Sequence, residues 1–227
     1  MLKLYIANKN YSSWSLRPWV LMQELGIDFE EILIPFSAGS SWEEFRKFSP
    51  SGTVPVLVDG ETHIWDSFAI IEYLAENYAG VWPENKQARA WARCASAEMH
   101  SGFFALRNQC SMTVGQRVEL RQVTPELKKD IQRIDELWSE GLNRFGNQFL
   151  ASEHFTAVDA FYAPVAYRIR SFLLKLSNTS MEYADRLIHL SSMKKWEDAA
   201  LKEIWREQSH EEEIKTAGKI LQDFRIT

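Results

Sequence analysis

The sequence predicts an α/β domain followed by an all-helical domain, because its hydrophobic pattern changes along the chain. Up to about residue 80, short β-rich segments alternate with amphipathic segments, as expected of strands that alternate with helices. From about residue 86, apolar residues recur only at three- and four-residue spacing, which predicts helices alone. Gly80 and Pro83 break the pattern between the two. We therefore expect one domain over residues 1–80 and a second over residues 86–227.

Four strands and three helices are predicted in the first domain, in the order βαβαββα. A turn at Asp59-Gly60 joins the last two strands as a hairpin, so the sheet should be mixed. This is the order of a thioredoxin-like unit. The strands are expected at 2–6, 29–34, 54–58 and 61–64, and the helices at 14–25, 41–48 and 67–78.

Apolar stripes define the helices of the second domain. The three longest stripes span 91–106, 127–145 and 158–172, and shorter helices are expected around Trp196 and near the C-terminus. Residues Thr156 to Asp159 form a capping box just before the third stripe. We expect this box to start a helix and to have a structural role only.

Composition and charge exclude several classes of function. The chain has 227 residues, a net charge of −5 and no run of Lys or Arg, so neither nucleic acid nor an anionic membrane is an expected partner. Cys94 and Cys110 form no CxxC motif and suit a reducing compartment. We see no signal peptide and no apolar run of about 18 residues, so a cytoplasmic protein is expected. The five histidines lack metal-ligand spacing, and no metal is expected.

The segment before the first helix is the first candidate site. Ser12 and Ser13 could simply cap the helix. Alternatively, their hydroxyls and the helix N-terminus could stabilise a bound thiolate, since both favour an anion. A free thiol has a pKa of about 8.5, so a decrease of about two units would make it mostly thiolate at pH 7.

Two further segments of the first domain are candidate ligand sites. Val54-Pro55 could be an ordinary strand start, or a cis peptide that presents the Val54 backbone to an extended, peptide-like ligand. Asp66 and Ser67 could cap the next helix. Alternatively, Ser67 could bind a carboxylate while Asp66 accepts an ammonium group, and a γ-glutamyl group carries both charges.

Taken together, these segments resemble the landmarks of the cytosolic glutathione transferase superfamily over essentially the whole chain. Ser12-Ser13, Val54-Pro55, Asp66-Ser67 and the Thr156–Asp159 box follow in the family's order. The resemblance implies a thioredoxin-like domain, an all-helical domain, a homodimer, and glutathione as cosubstrate. It implies that Ser12 stabilises the glutathione thiolate with Ser13 beside it, that Val54 and Pro55 bind the cysteinyl backbone, and that Asp66 and Ser67 hold the γ-glutamyl end.

Within that superfamily, the Ser-Ser-x-Ser-x-Arg pattern of residues 12–17 is most similar to the zeta class and its bacterial relatives. Trp14 replaces the cysteine that often follows the serine pair, so a mixed-disulfide mechanism at this loop is not expected. Zeta enzymes that isomerise maleylacetoacetate carry an arginine where this chain has Ser171, with Arg170 and Arg168 nearby.

The electrophile site is expected between the two domains. Its candidate wall residues are Trp14, His100, Phe103 and Arg107, although the same rings could be core or dimer interface. We expect a glutathione transferase that acts on a small electrophile. Two alternatives stay open: a glutathione-dependent isomerase of the maleylacetoacetate type, distinguished by whether Arg168 or Arg170 faces the cleft, and a non-catalytic partner-binding protein of the same fold.

Overall fold

A mixed four-stranded sheet lies at the centre of the N-terminal domain in the computed structural model, which describes residues 1–37, 40–146 and 148–226. Its strands are β1 (Leu2–Ile6), β2 (Phe29–Leu33), β3 (Val56–Asp59) and β4 (Thr62–Trp65), in the spatial order β2-β1-β3-β4. β1 pairs in parallel with β2, whereas the β1–β3 and β3–β4 pairs are antiparallel. The predicted mixed sheet is therefore confirmed.

Three helices complete this domain: α1 (Ser13–Glu24), α2 (Trp42–Phe45) and α3 (Ser67–Asn77). The predicted order βαβαββα is confirmed. β3 begins at Val56 rather than at residue 54, because Pro55 has no N–H to donate to a sheet ladder. Helix α2 has only four residues, about half of the predicted segment.

Seven helices form most of the C-terminal region: α4 (Lys86–Ser101), α5 (Phe104–Gln109), α6 (Pro125–Gly141), α7 (Ala157–Ser171), α8 (Asn178–Ile188), α9 (Ser191–Leu201) and α10 (Gln208–Ala217). All residues of α7 except Arg170 are buried, because α7 packs against α1, α4 and α8. The domain boundary near residues 80–86 stays a prediction. No helix among the described residues is long and apolar enough to cross a bilayer.

A two-stranded antiparallel sheet joins β5 (Gln116–Leu120) to β6 (Gly218–Asp223), and the sequence analysis, which expected only helices after residue 86, missed it. No hairpin turn predicts this pair of strands, because about a hundred residues separate them in the sequence. Gly218 allows the close approach of the strands, since a Cβ atom there would lie 2.2 Å from the carbonyl oxygen of Glu119.

The capping box at the start of α7 has the predicted structural role. The carboxylate of Asp159 accepts hydrogen bonds from the Thr156 N–H (2.9 Å) and from its hydroxyl (3.1 Å). It also accepts from the Leu150 N–H (2.9 Å) and the Tyr183 hydroxyl (2.7 Å). Asp159 is fully buried, so these four donors replace the water that the carboxylate loses on folding.

Candidate functional site

Two adjoining cavities form a groove where the β1–α1 loop, the segment before β3 and the start of α3 meet. The larger cavity has a volume of about 540 Å³ and the smaller about 190 Å³, and both have Trp14, Thr53 and Val54 in their walls. The groove brings together all six residues that the sequence analysis assigned to activation or glutathione binding: Ser12, Ser13, Val54, Pro55, Asp66 and Ser67.

Ser12 is held at the N-terminus of α1 by two hydrogen bonds to Ser15. Its hydroxyl oxygen accepts from the Ser15 N–H at 3.4 Å, and its O–H donates to the Ser15 hydroxyl oxygen at 2.7 Å. The latter oxygen accepts from the Ala7 N–H at 3.3 Å. Ser12 therefore combines a fixed position in the groove wall with the positive end of a helix dipole, and both favour a bound anion.

Ser13 contacts a buried arginine from the helical region. The Arg168 guanidinium donates to the Ser13 hydroxyl oxygen at 3.4 Å and to the Cys110 carbonyl oxygen at 2.8 Å. Arg168 is 4% exposed and lies in the wall of the larger cavity. Arg168 therefore brings a positive charge from the helical region to the groove.

The Val54–Pro55 peptide bond is cis, which is one of the two alternatives that the sequence analysis left open. Among the described residues, no hydrogen bond of the loops, turns or side chains involves the backbone N–H or C=O of Val54. Val54 is half-buried and lies in the walls of both cavities. An extended peptide backbone in the groove could therefore pair with these groups.

Asp66 and Ser67 begin α3 at the opposite end of the groove from Ser13. The Asp66 carboxylate accepts from the Phe68 N–H at 2.7 Å, and its backbone has a φ of 75°. For a residue other than glycine this conformation costs about 1–3 kcal/mol, which is typical of functional positions. Ser67 is 1% exposed, and its hydroxyl oxygen accepts from the Arg17 guanidinium at 3.4 Å.

Two of the four predicted wall residues line the groove and two do not. Trp14 and Arg107 line it, with the Arg107 guanidinium 5.4 Å from the Trp14 ring centre. His100 lies behind Trp14 at a ring-centre distance of 5.3 Å, with its Nε2 atom 3.5 Å from an Asp66 carboxylate oxygen. Phe103 is buried and belongs to the core, at the turn that starts α5.

Counting Arg17 beneath it, the groove has three arginines against two wall carboxylates in the described part of the chain, those of Asp66 and Glu207. Arg17, Arg107 and Arg168 surround it, and among the described residues none of the three has a carboxylate within salt-bridge distance. Burial lowers the pKa of Arg17 to about 9 and that of Arg168 to about 10, in each case with a contribution from neighbouring arginines. Both stay protonated at neutral pH, so the groove favours an anionic ligand.

Helix α10 supplies site residues that the sequence analysis missed. Glu207, Ser209 and His210 line the larger cavity, and the His210 ring stacks on Tyr11 with ring centres 5.0 Å apart. Ser111 and Met112 were not assigned to the groove wall either, whereas Arg168 was named as one of two arginines that could face the cleft. Only the fold brings these residues to the groove, and no local motif marks them.

The C-terminal segment also holds the residue next to Ser12. The Tyr11 hydroxyl donates to a Glu211 carboxylate oxygen at 2.6 Å and accepts from the Arg225 guanidinium at 3.1 Å. Behind this loop, the buried Glu203 carboxylate accepts from the backbone N–H groups of Lys9 and Asn10 at 2.6 Å and 3.2 Å. The loop that carries Ser12 is therefore fixed by contacts from the helical region.

Sequence comparison gives a family match in the same part of the chain. The family model described as "Glutathione S-transferase, N-terminal domain" matches residues 11–77. A zeta class glutathione S-transferase from Euphorbia esula is 29% identical over 167 residues, which cover 72% of this chain and 73% of that protein. Glutathione S-transferase Z1 from Arabidopsis thaliana is 43% identical over 75 residues, which cover 31% of this chain and 34% of that protein.

Solved structures share the fold along most of the chain. A glutathione transferase homologue from Burkholderia GL BGR1 with bound glutathione has a TM-score of 0.63 at 21% identity, covering 88% of this chain and 97% of that one. The theta class glutathione S-transferase from Xanthomonas axonopodis pv. citri with glutathione bound has a TM-score of 0.63 at 20% identity, covering 86% and 95%.

Proposed function

We propose that this chain, which belongs to the cytosolic glutathione transferase superfamily, binds glutathione in the groove and activates its thiol for attack on a small electrophile. The observation that carries the proposal is the meeting of Ser12, the Val54 backbone and Ser67 along one continuous groove. A protein that had become only a scaffold for partners would have no use for all three.

The residues of the groove suit the chemical groups of glutathione. The Val54 backbone can pair with the cysteinyl backbone, Ser67 and the N-terminus of the 11-residue helix α3 can bind the α-carboxylate, and Asp66 can accept the ammonium group. This arrangement places the thiol towards Ser12. Glutathione supplies the nucleophilic sulfur, and the protein supplies its position and charge stabilisation.

Ser12 acts on the ionisation of that sulfur. When glutathione is bound, the Ser12 hydroxyl turns away from the Ser15 oxygen and donates its single hydrogen to the thiolate, while the polar start of α1 stabilises the same charge. A decrease of about two pKa units requires about 2.7 kcal/mol of differential stabilisation, which a charge-assisted hydrogen bond and a helix terminus can supply together. Such a decrease makes most of the bound thiol nucleophilic at neutral pH.

Calorimetric titration with glutathione, combined with a pH titration of the thiolate absorbance, tests this function. We expect wild type to bind glutathione with a thiol pKa well below 8.5, and Ser12→Ala to bind it with a pKa close to the free value. Ser209→Ala, in the cavity wall contributed by α10, is the matched control and should leave the pKa low. Binding without a pKa decrease would leave Ser12 as a helix cap, and absence of binding at millimolar glutathione would contradict the proposal.

One observation favours a second candidate, a glutathione-dependent isomerase of an acidic substrate. Arg168 lines the groove, whereas Arg170 forms hydrogen bonds of 3.0 Å and 2.6 Å with Glu197 outside it. The Ser171 hydroxyl donates to the Thr113 carbonyl oxygen at 2.5 Å and is fully buried. Arg168 is thus the α7 arginine that can meet a substrate carboxylate. Glutathione-dependent conversion of maleylacetoacetate without net consumption of glutathione would support this function over conjugation.

The family also implies an assembly and a location for the protein. We propose a homodimer in the cytoplasm, and exposed rings such as that of Trp65, which is 46% exposed on strand β4, are compatible with a subunit contact. Analytical ultracentrifugation at micromolar concentration checks the assembly, and a purely monomeric protein would contradict it.

A further inference from the structure

Arg17 is a buried cation to which the proposed chemistry gives no role. It is 1% exposed and lies on α1, one layer beneath the groove, with its guanidinium carbon 4.1 Å from the Trp14 ring centre and 4.8 Å from that of Phe161. Among the described residues no carboxylate forms an ion pair with it, and its Nε atom has no hydrogen-bond partner. The Asp66 carboxylate lies beyond salt-bridge distance and only partly offsets the cost of burying this cation, so the site favours a further anion close to Arg17.

The guanidinium determines which way the Ser67 hydroxyl points. A guanidinium has only donors, so the Ser67 oxygen must accept in their 3.4 Å contact. The single hydrogen of that hydroxyl is then directed elsewhere. Among the described residues Ser67 donates to no side chain, although it is buried and lines the smaller cavity.

We infer that Arg17 is a positioning residue: it fixes the Ser67 hydroxyl as a donor into the smaller cavity and provides the counter-charge for a ligand carboxylate bound there. It acts through Ser67 and does not itself line the groove. This inference rests on the proposed function and assigns the α-carboxylate of glutathione to the Arg17–Ser67 pair. The N–H groups at the start of α3 stabilise the same ligand carboxylate.

The alternative explanation is that Arg17 only ties α1 to α7 through Phe161. In that case its removal would displace Trp14 and weaken every ligand of the groove equally. The two explanations therefore differ in whether the effect depends on the carboxylate of the ligand.

Binding of two peptides distinguishes them. One is glutathione, and the other is 4-aminobutyryl-cysteinyl-glycine, which lacks only the α-carboxylate. We expect Arg17→Met to bind glutathione about ten- to a hundredfold more weakly than wild type, and to bind the second peptide as wild type does. Arg17→Gln keeps a planar group beneath Trp14 without the charge, and it should show the same selective loss. Circular dichroism verifies that each variant is folded.

Two further variants complete the test. In a Ser67→Ala background, Arg17→Met should weaken glutathione binding by a smaller factor than in wild type, because the part of its effect that passes through the hydroxyl is already lost and only the counter-charge remains to be removed. Arg107→Gln removes another arginine next to Trp14 that has no contact with Ser67, and should change both affinities by the same factor. Equal losses for both peptides in the Arg17 variants, or full additivity with Ser67→Ala, would overturn the inference. If wild type bound neither peptide, the proposed function itself would fail with it.

Discussion

The guanidinium of Arg168 lies 3.4 Å from the hydroxyl oxygen of Ser13, and this contact joins the central helix α7 to the loop that carries Ser12. Arg168 donates to Ser13 and to the Cys110 carbonyl oxygen, and neither acceptor is charged. Because both partners are neutral, they do not compensate the charge of this buried cation, which can therefore attract a bound anion. The helical region therefore sets the charge that a ligand in the groove would meet beside Ser13.

This relationship predicts a preference for anionic electrophiles. Arg168→Met should lower kcat/KM for an electrophile that bears a carboxylate at least about tenfold more than for its uncharged ester, because only the former interacts with the cation. Arg170→Met, two residues away in the same helix but paired with Glu197, is the matched control. Equal losses for the acid and the ester would show that Arg168 has a structural role only.

The two cysteines should differ in reactivity. Cys94 is exposed, whereas Cys110 is buried, and burial raises the pKa of the Cys110 thiol to about 12. Only the thiolate reacts with alkylating agents, so iodoacetamide at pH 8 should label Cys94 in the folded protein and both residues in guanidinium chloride. Mass spectrometry of tryptic peptides measures this, and labelling of Cys110 in the native protein would contradict the prediction.

The capping box should contribute strongly to stability. Asp159→Ala leaves four buried donors without an acceptor, so the free energy of unfolding should fall by at least about 3 kcal/mol. Urea denaturation provides the measurement. Asp198→Ala, an exposed helical position in α9, should change it by no more than about 0.5 kcal/mol. Comparable effects of the two substitutions would refute the structural role of the box.

Glu207 should make the anchoring of α10 dependent on pH. Burial raises its pKa, but hydrogen bonds from the His210 N–H, the Ser209 hydroxyl and the His210 ring outweigh this and lower it to about 2. A lowered carboxylate pKa contributes stability above the unfolded value of about 4.5, and this contribution is lost as the pH falls from about 4.5 towards 2.

Glu207→Gln should therefore reduce the free energy of unfolding by about 1–2 kcal/mol at pH 7, and its difference from wild type should shrink below pH 4.5. Urea denaturation at pH 7 and at pH 3 measures the two differences. Glu212→Gln, an exposed position of α10 with a side chain that is 60% exposed, is the control and should change stability little at either pH. A constant difference between pH 7 and pH 3 would rule out the carboxylate as its source.

The N-terminal domain could be predicted because its signals are local. Ser12 and Asp66 each stand just before an amphipathic segment, and Pro55 limits where β3 can begin, so neighbours in sequence determine the positions of the strands, helices and predicted ligand residues. The resemblance to a known family then linked these segments into one site. Ser12 and Asp66 do cap α1 and α3, and only the fold shows that both also lie along one groove.

The missed features depend on contacts between distant residues. β5 forms only because β6 pairs with it. Residues 116–120 are too few for an alternating hydrophobic pattern that would predict a strand. Arg168 lies on a helix whose residues are almost all buried, so the periodic pattern gave no sign of which face meets the groove. For Phe103 the sequence left the cleft wall and the core open as alternatives, and tertiary packing places it in the core.

The contact of Tyr11 with Glu211 spans 200 positions of the chain, and it has a consequence for biosynthesis. Once the first eighty residues have been synthesised, every group proposed to hold glutathione is present. The loop beside Ser12 still lacks its contacts with Glu203, Glu211 and Arg225. The N-terminal domain therefore leaves the ribosome before the loop that carries Ser12 has the contacts that fix its position. The proposed site is complete only when this later-made segment folds back onto the first domain. A chain clipped near residue 200 would lose both the anchors of the loop beside Ser12 and the part of the groove wall that Glu207, Ser209 and His210 contribute.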